Sequence, residues 1–201
     1  MLLSIVVQAG GESLRMGTNK ALLPFLGVPL IERVVERVRH LGAEVLITTN
    51  QPAGFEYLHL PLVPDPLPGQ GALVGLQTAL QAASQPYVAV VACDMPFVNS
   101  QLISYQLDCL VGEQVDLVIP LTELGYEPFH AVYRRETCLS AVDAALQSGK
   151  KRMISWFDQV RVRELGQADL QRFDPLGRAF LNINTPEEFQ FAEQMAQAGE
   201  F

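Results

Sequence analysis

The sequence predicts an α/β fold in which a mostly parallel sheet carries helices on both faces, within a single domain spanning residues 1–201. Short apolar runs alternate with segments whose apolar residues recur at helical spacing, and this alternation favours parallel strands joined by helices. One run, from Tyr87 to Ala92, is apolar throughout, as is typical of a central strand buried on both faces. A length of 201 residues suits one such domain, and no repeat or linker divides it.

Apolar spacing and glycine stops place the individual elements. Ile31, Val34, Val35 and Val38 recur at helical spacing, and Gly42 offers a stop to that helix. The predicted strands lie at 2–7, 45–47, 87–92, 116–121 and 129–133, and the predicted helices lie at 31–41, 71–83 and 139–149.

A last helix is predicted to begin at Pro186, within the segment Thr185-Pro-Glu-Glu188. Thr185 is expected to cap the first turn, and proline suits the first helical position. Glu188 stands three residues after Thr185, where its carboxylate can return to the cap amide. The segment therefore predicts a capping box.

Composition and charge exclude several classes of function. The net charge of −8 argues against binding to nucleic acid or to an anionic membrane, because a negative field repels phosphates. Cys93, Cys109 and Cys138 have no paired spacing, which predicts neither disulfides nor a zinc site and fits a reducing compartment. No signal peptide or spanning apolar run is present, so a cytoplasmic location is expected.

The loop after the first strand carries the strongest functional signal. Ala9-Gly10-Gly11 lets backbone amides lie close to a bound group, and Arg15 and Lys20 add positive charge. A polyphosphate site is one interpretation, and a turn with two solvated basic residues is the other. Neither a Walker A loop nor the Gly-x-Gly-x-x-Gly dinucleotide fingerprint is present in this loop.

Residues 8–29, which include Ala9-Gly-Gly-Glu-Ser-Leu-Arg-Met-Gly17 and Lys20-Ala-Leu22, resemble the N-terminal loop of the molybdenum cofactor guanylyltransferases. Gln8 and Asn19 depart from that family, which usually has an aliphatic residue and Asp there. The resemblance implies a Rossmann-like nucleotidyltransferase fold. It also implies transfer of GMP from GTP to molybdenum-molybdopterin, by attack of the terminal phosphate of this cofactor on the α-phosphorus and with release of pyrophosphate.

Asp94 follows the apolar strand in Cys93-Asp-Met-Pro96, and ligands of open α/β sheets collect at such carboxyl ends. From the residues alone, an Asp after a strand is more often a turn-former or a helix cap than a ligand. The resemblance implies that it binds Mg²⁺ and that Arg15, Lys20 and Asp94 are catalytic. One carboxylate suffices, because Mg²⁺ completes its shell with phosphate oxygens and water.

The resemblance also implies a set of nucleotide-binding residues. Asp65, which stands between two prolines and would otherwise read as a turn residue, is expected to face the base or ribose. Where the family can place Asn, this chain has Thr48, with Asn50 two residues on, so that contact stays open. The expected nucleotide-binding residues are Gln8, Ala9, Gly10, Gly11, Lys20, Asp65, Gly71 and Asp94.

Three residues are candidates for the pterin side. Asn182 and Asn184 lie in Asn182-Ile-Asn-Thr-Pro-Glu-Glu188, which is similar to a family segment beside the active site. His130 lies in a segment similar to one that faces the pterin, although a buried strand histidine is the alternative. The basic run Lys150-Lys-Arg152 is either a solvated helix start or an attraction for the phosphate of that substrate.

Several rival functions remain open. CTP-dependent cytidylyl transfer to the same cofactor is disfavoured because those relatives usually carry Ala-Ala-Gly and Asp-Gln-Pro, where this chain has Ala9-Gly-Gly11 and Asp94-Met-Pro96. A sugar-phosphate nucleotidyltransferase and a non-catalytic nucleotide-binding protein are weaker alternatives. The expected partners are GTP and molybdopterin, with transient contact to molybdenum-insertion proteins or molybdoenzyme acceptors, and neither nucleic acid nor membrane.

Overall fold

The computed structural model describes residues 2–10, 19–66 and 71–198. Its main feature is an eight-stranded, mostly parallel sheet with helices packed on it, so the predicted fold class is confirmed. The strands are β1 (Leu3–Gln8), β2 (Pro24–Phe25), β3 (Val28–Pro29), β4 (Glu44–Thr48), β5 (Leu62–Val63), β6 (Tyr87–Ala92), β7 (Leu117–Thr122), β8 (Gly125–Tyr126), β9 (His130–Arg134) and β10 (Val162–Leu165). The helices are α1 (Leu30–Val38), α2 (Ala72–Ala82), α3 (Ser100–Gly112), α4 (Arg135–Gln147), α5 (Gln167–Leu170) and α6 (Pro186–Gln197).

The strand order of the sheet is β10-β7-β9-β6-β1-β4-β5, and β8 pairs with the end of β7. β1 runs parallel to both β4 and β6, whereas β9 lies antiparallel between β6 and β7. β7 is therefore parallel to β1, β4 and β6. The carboxyl ends of these four strands consequently meet at one edge of the sheet.

Side chains of the buried strands alternate between two cores, one on each face of the sheet. Ile5 and Val7 of β1 pack in the core that α1 and α3 cover, whereas Val6 packs in the core under α2 and α4. This alternation follows from the two-residue period of a strand, and it explains why central strands are apolar throughout. A third, smaller cluster joins Phe25 and Leu30 to α6.

The structure differs from the sequence-based elements in a few places. α1 ends at Val38, and the remainder of the predicted helix is a 3₁₀ turn, Arg39–Leu41, before Gly42. α3 is absent from the prediction, as are the short strands β2, β3, β5, β8 and β10. The capping box is present: Thr185 Oγ1 accepts from the Glu188 amide at 3.2 Å, and Glu188 accepts from the Thr185 amide at 3.0 Å.

Two general properties can be read from the described residues. Across them, none of the helices is both long and apolar enough to cross a membrane. All three cysteines are free thiols in buried positions.

Candidate active site

The candidate site lies at the edge of the sheet where the parallel strands end. β1 ends at Gln8 and β4 ends at Thr48, and Asp94 lies two residues beyond the end of β6. The amide of Cys93 donates to the carbonyl oxygen of Gln8 at 3.0 Å, which extends the pairing of β1 with β6 toward Asp94. The sheet therefore fixes the position of the Asp94 backbone.

Three polar side chains that are distant in the sequence meet at this edge. Lys20 Nζ donates to Asp94 Oδ2 at 2.5 Å and to Asn184 Oδ1 at 3.0 Å. Asp94 is nine-tenths buried, and the Lys20 side chain keeps 20% of its surface exposed. We call Lys20, Asp94 and Asn184 the Lys20 cluster. It joins the N-terminal loop, the end of β6 and the segment before α6.

Backbone contacts hold the Asn184 segment against Asp94. The amide of Ile183 donates to the carbonyl oxygen of Asp94 at 3.0 Å, and Ile183 itself is completely buried. The amide of Asn184 donates to Glu188 Oε2 at 2.6 Å, so the carboxylate of the capping box binds two successive amides. Asn184 is thereby fixed to both the sheet and the first turn of α6.

A short 3₁₀ turn, Lys20–Leu22, presents the lysine. Asn19 caps this turn, because its Oδ1 accepts from the amide of Ala21 at 3.1 Å. Its Nδ2 donates to Gln51 Oε1 at 3.2 Å, in the loop that follows β4. Asn thus performs the capping that Asp would perform and also supplies a donor that Asp lacks.

On the β4–β5 side, a polar cluster surrounds Asp65. The amide of Asp65 donates to Asn50 Oδ1 at 3.0 Å, and Thr78 Oγ1 lies 3.3 Å from Asp65 Oδ1. Thr78 is buried in α2. The sequence reasoning missed Thr78 as the partner of Asp65, and it left Asn50 open. The pairing of β4 with β5 brings Asn50 beside Asp65, and the packing of α2 brings Thr78 there.

Two predicted nucleotide contacts are used within the protein. Gln8 Nε2 donates to the carbonyl oxygen of Gly75 at 2.7 Å, and the amide of Ala9 donates to the carbonyl oxygen of Thr48 at 2.9 Å. The Ala9 amide therefore extends the sheet and does not point freely at a ligand. Gly10 is exposed, and among the described residues, its chain neighbours aside, no atom lies within 4 Å of the position that a Cβ would occupy.

Gly71 begins α2 with a backbone φ of +102°, which favours glycine, and no side chain caps this helix. It is exposed at the same edge of the sheet as Asp65. Gly11, Arg15 and residues 67–70 lie outside the described residues, so the predicted roles of Gly11 and Arg15 stay predictions.

His130 is placed differently from the predicted pterin contact. It is completely buried in β9, where its Nε2 accepts from the amide of Asn99 at 3.2 Å and its ring packs edge-on against Phe180. Burial lowers the pKa of His130 to about 4, so the imidazole is neutral at pH 7. A buried strand histidine, the alternative weighed from the sequence, describes this position.

The two asparagines differ in their surroundings. Asn182 Nδ2 donates to the carbonyl oxygen of Phe180 at 3.2 Å, whereas Asn184 is exposed and belongs to the Lys20 cluster. The basic run Lys150-Lys-Arg152 is exposed, and Lys150 Nζ donates to the carbonyl oxygen of Ser155 at 2.9 Å.

Comparison with known proteins agrees with this arrangement. The family model described as the MobA-like NTP transferase domain matches residues 5–162, which is most of the chain. The chain belongs to this family. A protein of Desulfosudis oleivorans named molybdenum cofactor guanylyltransferase is 33% identical over 195 residues, and the match covers 96% of each chain. A protein of Pelotomaculum thermopropionicum named probable molybdenum cofactor guanylyltransferase is 34% identical over 192 residues, covering 96% of this chain and 92% of its own.

A solved structure of the family supports the fold. Molybdopterin-guanine dinucleotide biosynthesis protein A from Archaeoglobus fulgidus superposes with a TM-score of 0.82 at 24% identity, covering 97% of this chain and 99% of its own. The resemblance inferred from residues 8–29 is therefore confirmed, and this member of the MobA-like family is a nucleotidyltransferase.

Nucleotidyltransferases of this family generally use a divalent metal ion. Among residues 2–10, 19–66 and 71–198, no group of three or more His, Cys, Asp or Glu side chains could hold a metal. Asp94 nevertheless fits a divalent ion whose remaining ligands are phosphate oxygens and water, because a single carboxylate is common at such sites. Its Oδ2 is the atom that Lys20 now contacts, so an ion and the ammonium would share this carboxylate.

Proposed function

We propose that this chain transfers GMP from GTP to molybdopterin, forming molybdopterin guanine dinucleotide and pyrophosphate. The supporting observation is the Lys20 cluster. In it the ammonium group of Lys20 donates to the carboxylate of Asp94, just beyond the carboxyl end of β6. A cation and a carboxylate at this edge suit a polyphosphate together with a divalent ion. The names of the relatives supply the nucleotide and the acceptor.

The proposed reaction requires the protein to position two phosphates and to neutralise their charge. An oxygen of the terminal phosphate of molybdopterin attacks the α-phosphorus of GTP, and a new P–O bond forms. The bond between the α-phosphorus and the bridging oxygen breaks, and pyrophosphate leaves with the electron pair. Because the attacking oxygen is already anionic, no general base is required. Catalysis is then positioning and neutralisation of charge.

Lys20 is proposed to bind the phosphates of GTP, with Asp94 and Asn184 orienting its ammonium group. We assign Arg15 and Gly11 to the same phosphates on the resemblance of their loop. Mg²⁺ is the proposed ion at Asp94, and when bound it supplies positive charge between two phosphates that otherwise repel each other. Gly10 and Gly71, both exposed at this edge, are proposed to lie along the nucleotide.

Asp65 is the proposed guanine-reading residue. Guanine presents two neighbouring donors, N1–H and the exocyclic amine, and a carboxylate accepts both. Cytosine presents a single amine donor on the corresponding edge, so a carboxylate at this position favours GTP over CTP. Gln8 and Ala9 support this side through their contacts with α2 and β4 rather than by direct binding.

Two further proposals concern the setting of the reaction. Asn182 is proposed to line the acceptor side, since it lies next to the Lys20 cluster in the segment that ends at α6. We also propose a cytoplasmic enzyme that passes its product to molybdoenzymes, and the three free, buried thiols agree with a reducing compartment.

Thermal unfolding with GTP, CTP and ATP, each with and without Mg²⁺, tests the nucleotide. A ligand at about 100 times its Kd adds roughly 2.7 kcal/mol to the stability of the native state. We expect the largest rise in Tm with GTP and Mg²⁺. In a separate turnover assay, we expect pyrophosphate release only when molybdopterin is present. A greater rise with CTP would assign the chain to cytidylyl transfer, and binding of GTP without turnover would leave a nucleotide-binding protein.

A further inference from the structure

Glu127 lies on the side of the Lys20 cluster opposite to Asp65, at the same edge of the sheet. Asp65 follows β5, three strand positions from β6, whereas Glu127 follows β8 and pairs with β7 on the same side as β9, one strand position from β6 in the other direction. At about 4.8 Å between neighbouring strands, these positions lie roughly 14 Å and roughly 5 Å from β6. A nucleotide that extends from Lys20 toward Asp65 leaves the Glu127 side for the acceptor.

The backbone around Glu127 is fixed at both ends. Its amide donates to the carbonyl oxygen of Pro120 at 3.0 Å, and its carbonyl oxygen accepts from the amide of His130 at 3.1 Å. The next residues are anchored as well, because Pro128 accepts from the Tyr133 hydroxyl at 2.6 Å and Phe129 accepts from the amide of Ala92 at 3.2 Å. The backbone that carries this carboxyl group is thus held beside β6, the strand that leads to Asp94.

The carboxyl group of Glu127 has few hydrogen-bond donors around it among the residues that the structure describes. Its described partner is the hydroxyl of Thr122, whose oxygen lies 3.3 Å from Glu127 Oε1 and 3.1 Å from the carbonyl oxygen of Gly125. One hydroxyl proton cannot fully serve both acceptors. Within the described part of the chain, Glu127 forms no ion pair and no other side-chain hydrogen bond. Partial burial raises the pKa of this carboxyl group, as expected where the anion lacks compensating donors.

We infer that Glu127 binds the pyrimidine edge of the pterin acceptor, accepting hydrogen bonds from its ring N–H and its 2-amino group. This inference rests on the proposed function, because that function supplies a pterin on this side of the site. A pterin and guanine carry the same 2-amino-4-oxopyrimidine edge, with two adjacent donors. A carboxylate is the side chain that accepts both donors at once, and bonds to a charged acceptor are the stronger kind. Asp65 at one end of the cleft would thus bind the edge of guanine, and Glu127 at the other end would bind the same kind of edge on the pterin.

The test compares 6-hydroxymethylpterin with 6-hydroxymethyllumazine, in which an oxygen acceptor replaces the 2-amino donor. Binding is followed by ligand fluorescence for the wild type and for Glu127→Gln. We expect the wild type to prefer the pterin at least tenfold and Glu127→Gln to reduce that preference below about threefold. Glu123→Gln, an exposed carboxylate of the same hairpin, is the matched control and retains the preference.

Turnover separates this inference from the proposed function. In Glu127→Gln, the KM for molybdopterin rises at least tenfold, and the KM for GTP stays within twofold of the wild type. Glu127→Asp keeps the charge on a shorter side chain and should give an intermediate KM for molybdopterin. It provides a second test of Glu127 in case Glu127→Gln does not fold. If the wild type transfers no GMP, the proposed function fails while the pterin-to-lumazine ratio still tests Glu127. An unchanged ratio in Glu127→Gln, or no pterin binding at millimolar concentration, overturns the inference.

Discussion

At the scale of single residues, Asp94 has two tasks that one carboxylate can combine. It fixes the ammonium of Lys20 at 2.5 Å, and it is the proposed anchor of the metal ion. Both tasks concern charge at the phosphates, and 12% of the Asp94 side chain and 20% of the Lys20 side chain stay exposed there. Turnover and stability must therefore be measured separately at this residue.

For Asp94→Asn we expect turnover to fall by about 10²–10³, since removal of one electrostatic group at a reacting centre commonly costs that much. Stability should fall by about 1–3 kcal/mol, because the variant loses a largely buried charged hydrogen bond while Lys20 keeps Asn184 and solvent as partners. The measurements are kcat for pyrophosphate release and the Tm without ligand. Asp108→Asn, an exposed acid on α3, is the control. Retention of more than a tenth of the wild-type kcat would rule out this role of Asp94.

His130 connects the buried core to the pH dependence of stability. Its pKa in the folded state is about 4, compared with 6.5 for an unperturbed histidine, so the unfolded chain binds its proton first as the pH falls. The stability that depends on neutral His130 is complete above pH 6.5 and declines between pH 6.5 and about 4. The total loss is on the order of 3 kcal/mol.

In His130→Gln, the amide oxygen can still accept from Asn99, but no proton is taken up. We expect this variant to lose less stability than the wild type between pH 7 and pH 4.5, although it begins less stable because its contact with Phe180 is weaker. Urea unfolding at both pH values gives the difference. His40→Gln, at an exposed position, should behave as the wild type does. Equal losses of stability in the wild type, His130→Gln and His40→Gln would show that protonation of His130 does not cause the loss of stability at acid pH.

At the scale of elements, two glycines that look alike in the sequence have opposite surroundings. A Cβ at Gly42 would lie 2.7 Å from the carbonyl oxygen of Glu44 and 2.8 Å from Ile5 Cγ1, so the turn before β4 would have to move. A Cβ at Gly75 would meet the amide of Gln8 at 3.5 Å, which is an ordinary contact. Gly75 lies inside α2, where glycine is the poorer helix former.

We therefore expect Gly42→Ala to destabilise the protein by about 1–3 kcal/mol through steric crowding. Gly75→Ala should be neutral or stabilise it by up to about 1 kcal/mol through helix propensity. Each variant is the control for the other, and chemical denaturation measures both free energies of unfolding. Destabilisation of equal size would show that glycine flexibility, rather than local space, matters at both positions.

The sequence predicts an element correctly where one local pattern of residues is enough to define it. The apolar run of β6 and the capping box at Thr185 are local patterns, and both are confirmed. α3 was missed although Asn99 caps it, because Asn99 accepts from the Leu102 amide and a cap of this kind also reads as a turn. The prediction of helix is wrong for Arg39–Leu41, which form a 3₁₀ turn, because Leu41 continues the apolar spacing of α1.

The candidate site was predictable in its members but not in its contacts. The motifs named Lys20, Asp94 and Asn184 separately, yet Lys20 lies 74 residues from Asp94 and 164 from Asn184 in sequence. Their meeting depends on strand order, which no local pattern encodes. His130 shows the same limit, because its partner Asn99 belongs to another segment that only the folded sheet brings near.

At the scale of the whole molecule, the sheet arranges the site as two half-sites on either side of Asp94. Asp65 and Glu127 are four strand positions apart, or roughly 19 Å at the usual strand spacing. Groups this far apart, without shared partners, contribute independently to binding and to the transition state. The carboxylates should therefore act as separate readers of the two substrates, joined only through the reacting phosphates.

The double variant tests this independence. Asp65→Asn should raise the KM for GTP about tenfold and leave the KM for molybdopterin unchanged, while Glu127→Gln has the reverse effect, because a neutral amide accepts less strongly than a carboxylate. The losses in transition-state stabilisation, taken from kcat/KM for the varied substrate, should add within about 0.5 kcal/mol in the double variant. A shortfall or excess above about 1 kcal/mol would mean that both carboxylates contact one substrate or move together, and the two-sided arrangement of the cleft would be wrong.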